Sequence, residues 1–292
     1  MTTTGLPLPL AATGLIAVTG ATGHVGGLVA HDLSREGARL RLVVRSAARA
    51  PQLPGATVTE TTYGDHDRSV VALDGVDVLL MVSAAESADR LDQHRAFIDA
   101  AVEAGVHHVV YTSFLGAAPD ATFTLARDHW ATEEHLRAVG VPHTILRDSF
   151  YLDFLPNLAG PDGAIRGPAG DGVLGAVARA DVARVAAHVL LAPHEHAGQT
   201  YELTGREALS LTQAARITSE VTGRETVYHP ETVEEAYASR ASYGAPDWQV
   251  DAWVSTYTAI AAGELALVTD TVERLTGRRP LTLRELLAPL AL

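Results

Sequence analysis

The chain is 292 residues long, 47% hydrophobic and 20% charged, with a net charge of −13; this suits a globular protein with a substantial core and excludes a nucleic-acid footprint. There is no cysteine, and all 22 basic residues are arginines, so disulfide, thiolate and lysine Schiff-base chemistry are excluded. No run approaches the roughly 18 apolar residues of a membrane span, and residues 1–13 carry no positive charge to open a signal peptide, so they read as a flexible tail and the protein as cytoplasmic.

Leu15 to Thr19 is an apolar run of the kind that makes a buried parallel strand. Glycines follow at 20, 23 and 26, then a helical pattern through Leu28, Val29 and Leu33. Gly20 lets the chain turn out of the strand, Gly23 lets the backbone approach a pyrophosphate, and Gly26 lets the helix pack on the strand. The phosphates of a dinucleotide would sit at the helix N-terminus. The candidate cofactor-binding residues of this loop are Thr19, Gly20, Thr22, Gly23, His24, Val25 and Gly26. The alternative is an ordinary tight strand–helix turn.

Gly37 closes the first helix, and Arg39 to Arg45 reads as a second strand. Arg45 stands 25 positions after Gly20 (45 − 20), where NAD-selective sites place an acid, and no acidic residue lies between Arg39 and Glu60. A guanidinium there suits the 2′-phosphate of NADP; a solvated arginine at a strand end is the alternative. Val58 to Tyr63 reads as a third strand, and Asp65 after it either accepts from an adenine amino group or is a turn residue. A short helix is expected over Ser69 to Leu73. Val76 to Val82 is a fourth strand, ending in Ser83 and Ala84, small enough for a cofactor to pass.

Leu91 to Ala104 reads as a helix and Val106 to Ser113 as a fifth strand, with Thr112, Ser113 and Phe114 where a nicotinamide would lie. Thr124 to Val139 reads as a helix and Val141 to Leu146 as a sixth strand. This alternation points to an α/β fold, a Rossmann-type doubly wound parallel sheet. On the helix, Leu125, His129, Thr132, Leu136 and Val139 share one face. His129 then either lines the cleft as proton donor, with Glu133 one turn on to raise its pKa and Arg137 to hold Glu133, or is a core histidine. Ser113 and Tyr151 are the other candidate catalytic groups. Phe114, Phe150, Tyr151 and Phe154 are the candidate substrate-binding wall.

Pro156 to Gly175 is rich in Gly and Pro and reads as loop. Arg179 to Leu191 is helical, His194 to His196 an exposed turn, and Thr200 to Leu203 a further strand. Helices follow over Leu211 to Val221, Val233 to Arg240, Trp248 to Ala262 and Leu265 to Leu275. The expected domains are 14–147, with 177–204 packing back on it, and a smaller, mostly helical unit of 148–176 and 205–292. No metal site is expected.

These residues resemble the NmrA-like branch of the atypical short-chain dehydrogenases/reductases, of the type that includes NADPH:quinone oxidoreductase 2 and triphenylmethane reductase. The resemblance rests on Val18 to Gly26, Val44-Arg45, Gly75-Val76-Asp77, Tyr111-Thr112-Ser113, Leu125 to His129, Ile145-Leu146-Arg147 and Ala180 to Ala183. It extends through Val268-Thr269-Asp270, Leu275 to Arg278 and Pro280. It implies NADPH on the glycine loop and on the arginine after the second strand, a cleft between two domains, and no tyrosine–lysine pair. It is compatible with a homodimer. The expected function is an NADPH-dependent reductase passing hydride to a quinone, carbonyl or conjugated aromatic small molecule. The alternatives are a non-catalytic NADP(H) sensor and a non-redox isomerase or epimerase on the same fold.

Overall fold

A computed structural model describes residues 14–290; the tail expected over 1–13 lies outside them. In chain order the sheet half holds β1 (Ile16–Thr19), α1 (His24–Arg35), β2 (Leu40–Val44), β3 (Ala56–Glu60), α2 (His66–Leu73), β4 (Val78–Met81), α3 (Arg90–Glu103), β5 (His108–Phe114), α4 (Thr124–Val139) and β6 (His143–Asp148). Then come β7 (Ala164–Gly167), β8 (Val173–Leu174), α5 (Arg179–Leu191), β9 (Thr200–Leu203), β10 (Leu209–Ser210) and α6 (Leu211–Thr222). The chain closes with β11 (Val227–Pro230), α7 (Val233–Arg240), α8 (Asp247–Ala261), α9 (Thr271–Thr276) and α10 (Leu283–Leu287).

Seven strands form one sheet in the order β3-β2-β1-β4-β5-β6-β9, and every pairing in it is parallel. The alternation of strand side chains divides the core. Ile16 and Val18 face one layer, where Val29 and Leu33 of α1 meet Val182, Val185 and Val189 of α5. Ala17, one residue out of phase, faces the other layer with Phe97 and Ile98 of α3 and Leu136 of α4. The strand order reverses between β1 and β4, and at such a switch point the loops leave a crevice outside the C-terminal strand ends. A further core joins Leu155, Ile165, Leu174, Leu211, Ile260 and Leu283 beyond that edge.

Several expectations are corrected. The third strand runs Ala56–Glu60, earlier than Val58 to Tyr63, because it pairs from Leu40↔Ala56 to Val44↔Glu60 with β2. Residues 156–175 are not plain loop: a 3₁₀ turn over Leu152–Leu158 leads to β7, which pairs with β11, and β8 pairs with β10. Those partners are distant in sequence and short, so no local periodicity announces them. The helix expected over Leu265 to Leu275 is confined to Thr271–Thr276. Before it the chain runs as a tether, with Leu265 O accepting from Gly175 N and Thr269 N donating to Thr204 Oγ1. Val272 of α9 then packs in the α1/α5 core, with the sheet rather than the smaller unit. His196 is buried, not exposed, its Nδ1 2.9 Å from the Tyr201 hydroxyl. Leu28 stands clear of the buried helix face and lines a surface groove.

Candidate active site

Gly20 adopts φ +63°, where a glycine is favoured, and turns the chain from β1 into α1. A Cβ at Gly26 would stand 2.5 Å from the carbonyl oxygens of Thr19 and Gly20, so this glycine lets the helix seat on the strand. A Cβ at Gly23 would stand 3.2 Å from Gly20 O on the helix-entry side. Gly23 is the N-cap of α1 and supplies no capping side chain. The N–H groups of His24, Val25 and Gly26 have no acceptor among the described residues. The open turn leads into a groove of about 400 Å³ lined by Thr22, His24, Leu28, His31 and Arg49. Uncapped donors, the positive helix end and a guanidinium give this groove the chemistry that suits an anion.

Arg45 is exposed just past β2, with no hydrogen-bond or ion-pair partner among the described residues. Glu60, opposite Val44 in the strand register, accepts from the Ala47 N–H through its Oε1. Asp65 does not offer a free carboxylate: it caps α2, accepting from Arg68 N at 3.2 Å, and pairs with the Arg68 guanidinium at 3.5 Å. Asp65 is thus the N-cap of α2, as the turn alternative expects, and its side chain is still partly exposed. Thr19 is buried within the sheet, its Oγ1 donating to Leu80 O and accepting from Val82 N. Thr112 is buried too and accepts from Ser83 N at 2.9 Å, tying the end of β4 to β5. Ala84 N donates to His94 Nε2 at 2.9 Å.

A cavity of about 740 Å³ opens between this edge and the smaller core. Ser83, Phe114, His129, Phe150, Tyr151 and Phe154 line it, four of them aromatic. Ser149, Tyr243 and Trp253 also line it, as do Phe123, Tyr257 and Asp148, which were not singled out in the sequence. The signal for Asp148 was available, because an acid at the C-terminal end of a parallel strand faces the ligand edge. The Glu86 carboxylate at the rim accepts from Gln249 Nε2 at 3.0 Å and Trp253 Nε1 at 3.3 Å, tying the loop after β4 to α8.

His129 does not have the surroundings expected for an acid. Arg90 Nη2 lies 2.9 Å from His129 Nε2 and Tyr111 Oη 2.9 Å from Nδ1. A guanidinium only donates, so Nε2 is the acceptor and the proton sits on Nδ1, directed to Tyr111. Neither ring nitrogen is left for a substrate. Burial, helped by Arg90, holds the imidazole well below its usual pKa, so it is neutral. Glu133 lies apart: it accepts from Ser113 Oγ at 2.6 Å, from Arg147 at 2.8 and 2.6 Å and from Arg137 at 3.1 Å. The helix spacing put Glu133 one turn from His129, but two arginines and a serine compete for the carboxylate and win. Ser113 is likewise committed to that buried cluster rather than to the cavity. Tyr151 does reach the cavity, and its hydroxyl donates to Asp148 Oδ2 at 2.6 Å.

The NmrA-like family profile matches residues 12–243. The chain belongs to the NmrA-like family. It is 35% identical over 278 residues to quinone oxidoreductase 2 of Escherichia coli K12, covering 93% of this chain and 96% of that one. It is 32% identical over 277 residues to the NAD(P)H azoreductase of Xenophilus azovorans, covering 93% and 96%. Superposition on the Citrobacter sp. triphenylmethane reductase complexed with NADP(H) gives a TM-score of 0.83 at 31% identity, covering 94% of this chain and 99% of that one. The E. coli quinone oxidoreductase complexed with NADPH gives 0.85 at 34% identity, covering 94% and 99%. This NmrA-like chain thus shares its fold with these reductases over 94% of its length, and its cavity lies beyond the C-terminal ends of β4, β5 and β6.

Proposed function

We propose that the chain is an NADPH-dependent reductase that passes hydride to a quinone, a carbonyl compound or a conjugated aromatic small molecule. The observation that carries this reading is the meeting of two surfaces at one sheet edge. Gly20, in the anion-binding turn, stands against Val82, and the next residue, Ser83, lines the aromatic cavity. The uncapped α1 N-terminus and the space at Gly23 fit a pyrophosphate, and the unpaired Arg45 fits a 2′-phosphate.

Bound NADPH supplies hydride from its nicotinamide. The residues of this chain hold and orient. Phe114, Phe150 and Phe154 give the cavity an apolar aromatic wall for a flat acceptor and keep water from it. The Glu86–Trp253 contact ties the loop after β4 to α8 at the rim. The same reading takes a small molecule as the partner and the cytoplasm as the setting.

The test is NADPH oxidation in the presence of 1,4-benzoquinone and of crystal violet, a cationic triarylmethane dye. Steady turnover of an acceptor is the expected result. Tight NADPH binding with no turnover on either acceptor would sink the reading in favour of a non-catalytic sensor.

A further inference from the structure

Asp148, Ser149 and Tyr151 leave the end of β6 together and line the same cavity. Asp148 lies between Phe114 of β5 and Leu203 of β9 in the strand register. It is buried, and no cation pairs with it among the described residues. The one hydrogen bond of its carboxyl there is with the Tyr151 hydroxyl, 2.6 Å away. Ser149 is buried as well, and its Oγ has no hydrogen-bond partner among the described residues. Buried polar groups are ordinarily satisfied, so an orphaned hydroxyl in a cavity wall points to a ligand that accepts from it.

Resting on the reductase reading, we propose that Asp148 and Tyr151 form a proton relay to the oxygen of a carbonyl or quinone acceptor, with the Ser149 hydroxyl as the second donor to that oxygen. A quinone that has taken hydride holds two new electrons and one new hydrogen. It becomes a hydroquinone only when a proton reaches its oxygen. The Tyr151 O–H bond breaks as that acceptor O–H bond forms. The phenolate oxygen then takes the proton of the Asp148 carboxyl, and the carboxylate left behind is reprotonated from solvent.

The relay has an open and a closed state. A protonated Asp148 donates to the phenol oxygen and leaves the phenolic hydrogen free for the acceptor. An ionised Asp148 accepts that hydrogen and pins it away. Burial raises the Asp148 carboxyl to about 7, so both states are populated near neutrality. Charged groups around the pair are few. Burial and the neighbouring Asp148 hold the Tyr151 phenol well above its usual pKa; the Arg179 guanidinium of α5, 5.1 Å from the ring centroid, works against this, and Asp153 adds to it. Arg147, next along β6, is held by Glu133, with Glu202 of β9 beside it. His129, in the same cavity wall, is neutral.

The chemistry separates two acceptor classes. A quinone needs the proton. A triarylmethane cation takes hydride at carbon and needs none. With NADPH present, Tyr151→Phe should lower kcat on 1,4-benzoquinone roughly 10²–10⁴-fold while leaving crystal violet reduction within about a few-fold, which also shows the variant folded. Asp148→Asn should flatten the fall in benzoquinone rate above neutrality and leave the dye profile unchanged. Without cofactor, the ¹³Cγ resonance of Asp148, assigned by its loss in Asp148→Asn, should titrate near neutrality. Tyr151→Phe matching wild type on benzoquinone, losing both acceptors equally, or an Asp148 resonance titrating in the usual carboxylate range overturns the relay. A wild-type protein that reduces neither acceptor removes the reductase reading and the relay resting on it, and is told apart from the other outcomes by the wild type alone.

Discussion

Arg90 donates from Nη2 to Nε2 of His129 at 2.9 Å, and that contact fixes the direction of the histidine's proton. Arg90 is itself buried, with its Nε donating to Ala84 O and Nη1 facing Asp128 at 3.4 Å. The histidine is thus an acceptor that satisfies a buried cation, not a donor aimed at substrate. His129→Ala should strand Arg90 and Tyr111 and cost about 1–3 kcal/mol for each group left unsatisfied, read as a lower urea midpoint. The variant should keep whatever pH limb the wild-type rate shows near neutrality. Loss of that limb at unchanged stability would return the proton to His129.

The glycines of the first turn should separate by readout. At Gly26 a methyl would press on two backbone oxygens at 2.5 Å, whereas at Gly23 it meets one at 3.2 Å, beside the uncapped helix end. Gly26→Ala should lower thermal stability, because backbone cannot yield as a flexible side chain does. Gly23→Ala should leave stability nearly unchanged and weaken NADPH binding, measured by titration calorimetry. Native NADPH affinity in a folded Gly23→Ala would mean that the pyrophosphate lies elsewhere.

Much of the sheet was legible because its strands carry local signals. Ile16 to Val18 and Val78 to Met81 are apolar on both faces, as a strand covered on both sides requires. The 3.6-residue pattern placed α4 at Thr124–Val139, with Gly140 closing it. What escaped is what depends on distant partners. β7 and β11 are four residues each and exist by pairing with one another, from Ala164↔Val227 to Gly167↔Pro230, partners far apart in the chain. The cavity wall drew Tyr243, Trp253 and Tyr257 from a helical region with no site-like spacing. Helix spacing set Glu133 beside His129 but could not weigh Arg147, which arrives from β6 and takes the carboxylate.

The buried histidines tie stability to acidity. Burial, with Arg90 nearby, depresses His94 to about 3, and burial depresses His108 to about 4. Unfolded, each titrates near 6.5. Between those values the unfolded chain binds the extra proton, so folded stability is full above about 6.5 and falls as the pH drops, at about 1.4 kcal/mol per pH unit for each such histidine. Asp148, raised by burial, runs the other way, so the slope of the whole protein mixes both. A difference isolates one group: His94→Asn should be less stable than wild type at neutral pH, but its stability should fall less steeply between pH 6 and 4, by about 1.4 kcal/mol per unit. Urea denaturation at several pH values checks this, and parallel curves would mean that His94 is protonated in the fold.

Arg45 bears on cofactor choice. It follows β2, is exposed, and lacks a partner among the described residues. The acid closest in the strand register, Glu60, turns its Oε1 back to the Ala47 N–H, while Arg45 carries the positive charge at the strand end. Arg49, in the groove wall, is exposed as well and adds to the positive field. A charge-assisted pair with a 2′-phosphate contributes about 1.5–3 kcal/mol, which is roughly ten- to a hundredfold in affinity. An exposed guanidinium is screened by salt, so the lower end applies at physiological ionic strength. Arg45→Ala should therefore weaken NADPH about tenfold or somewhat more and leave NADH nearly unchanged, because NADH has no phosphate to lose. Fluorescence titration of both cofactors measures the split. Arg45→Glu should go further and favour NADH, since a carboxylate accepts from the 2′-hydroxyl and repels the phosphate. Equal losses for the two cofactors would make Arg45 a structural residue and move the selectivity to Arg49.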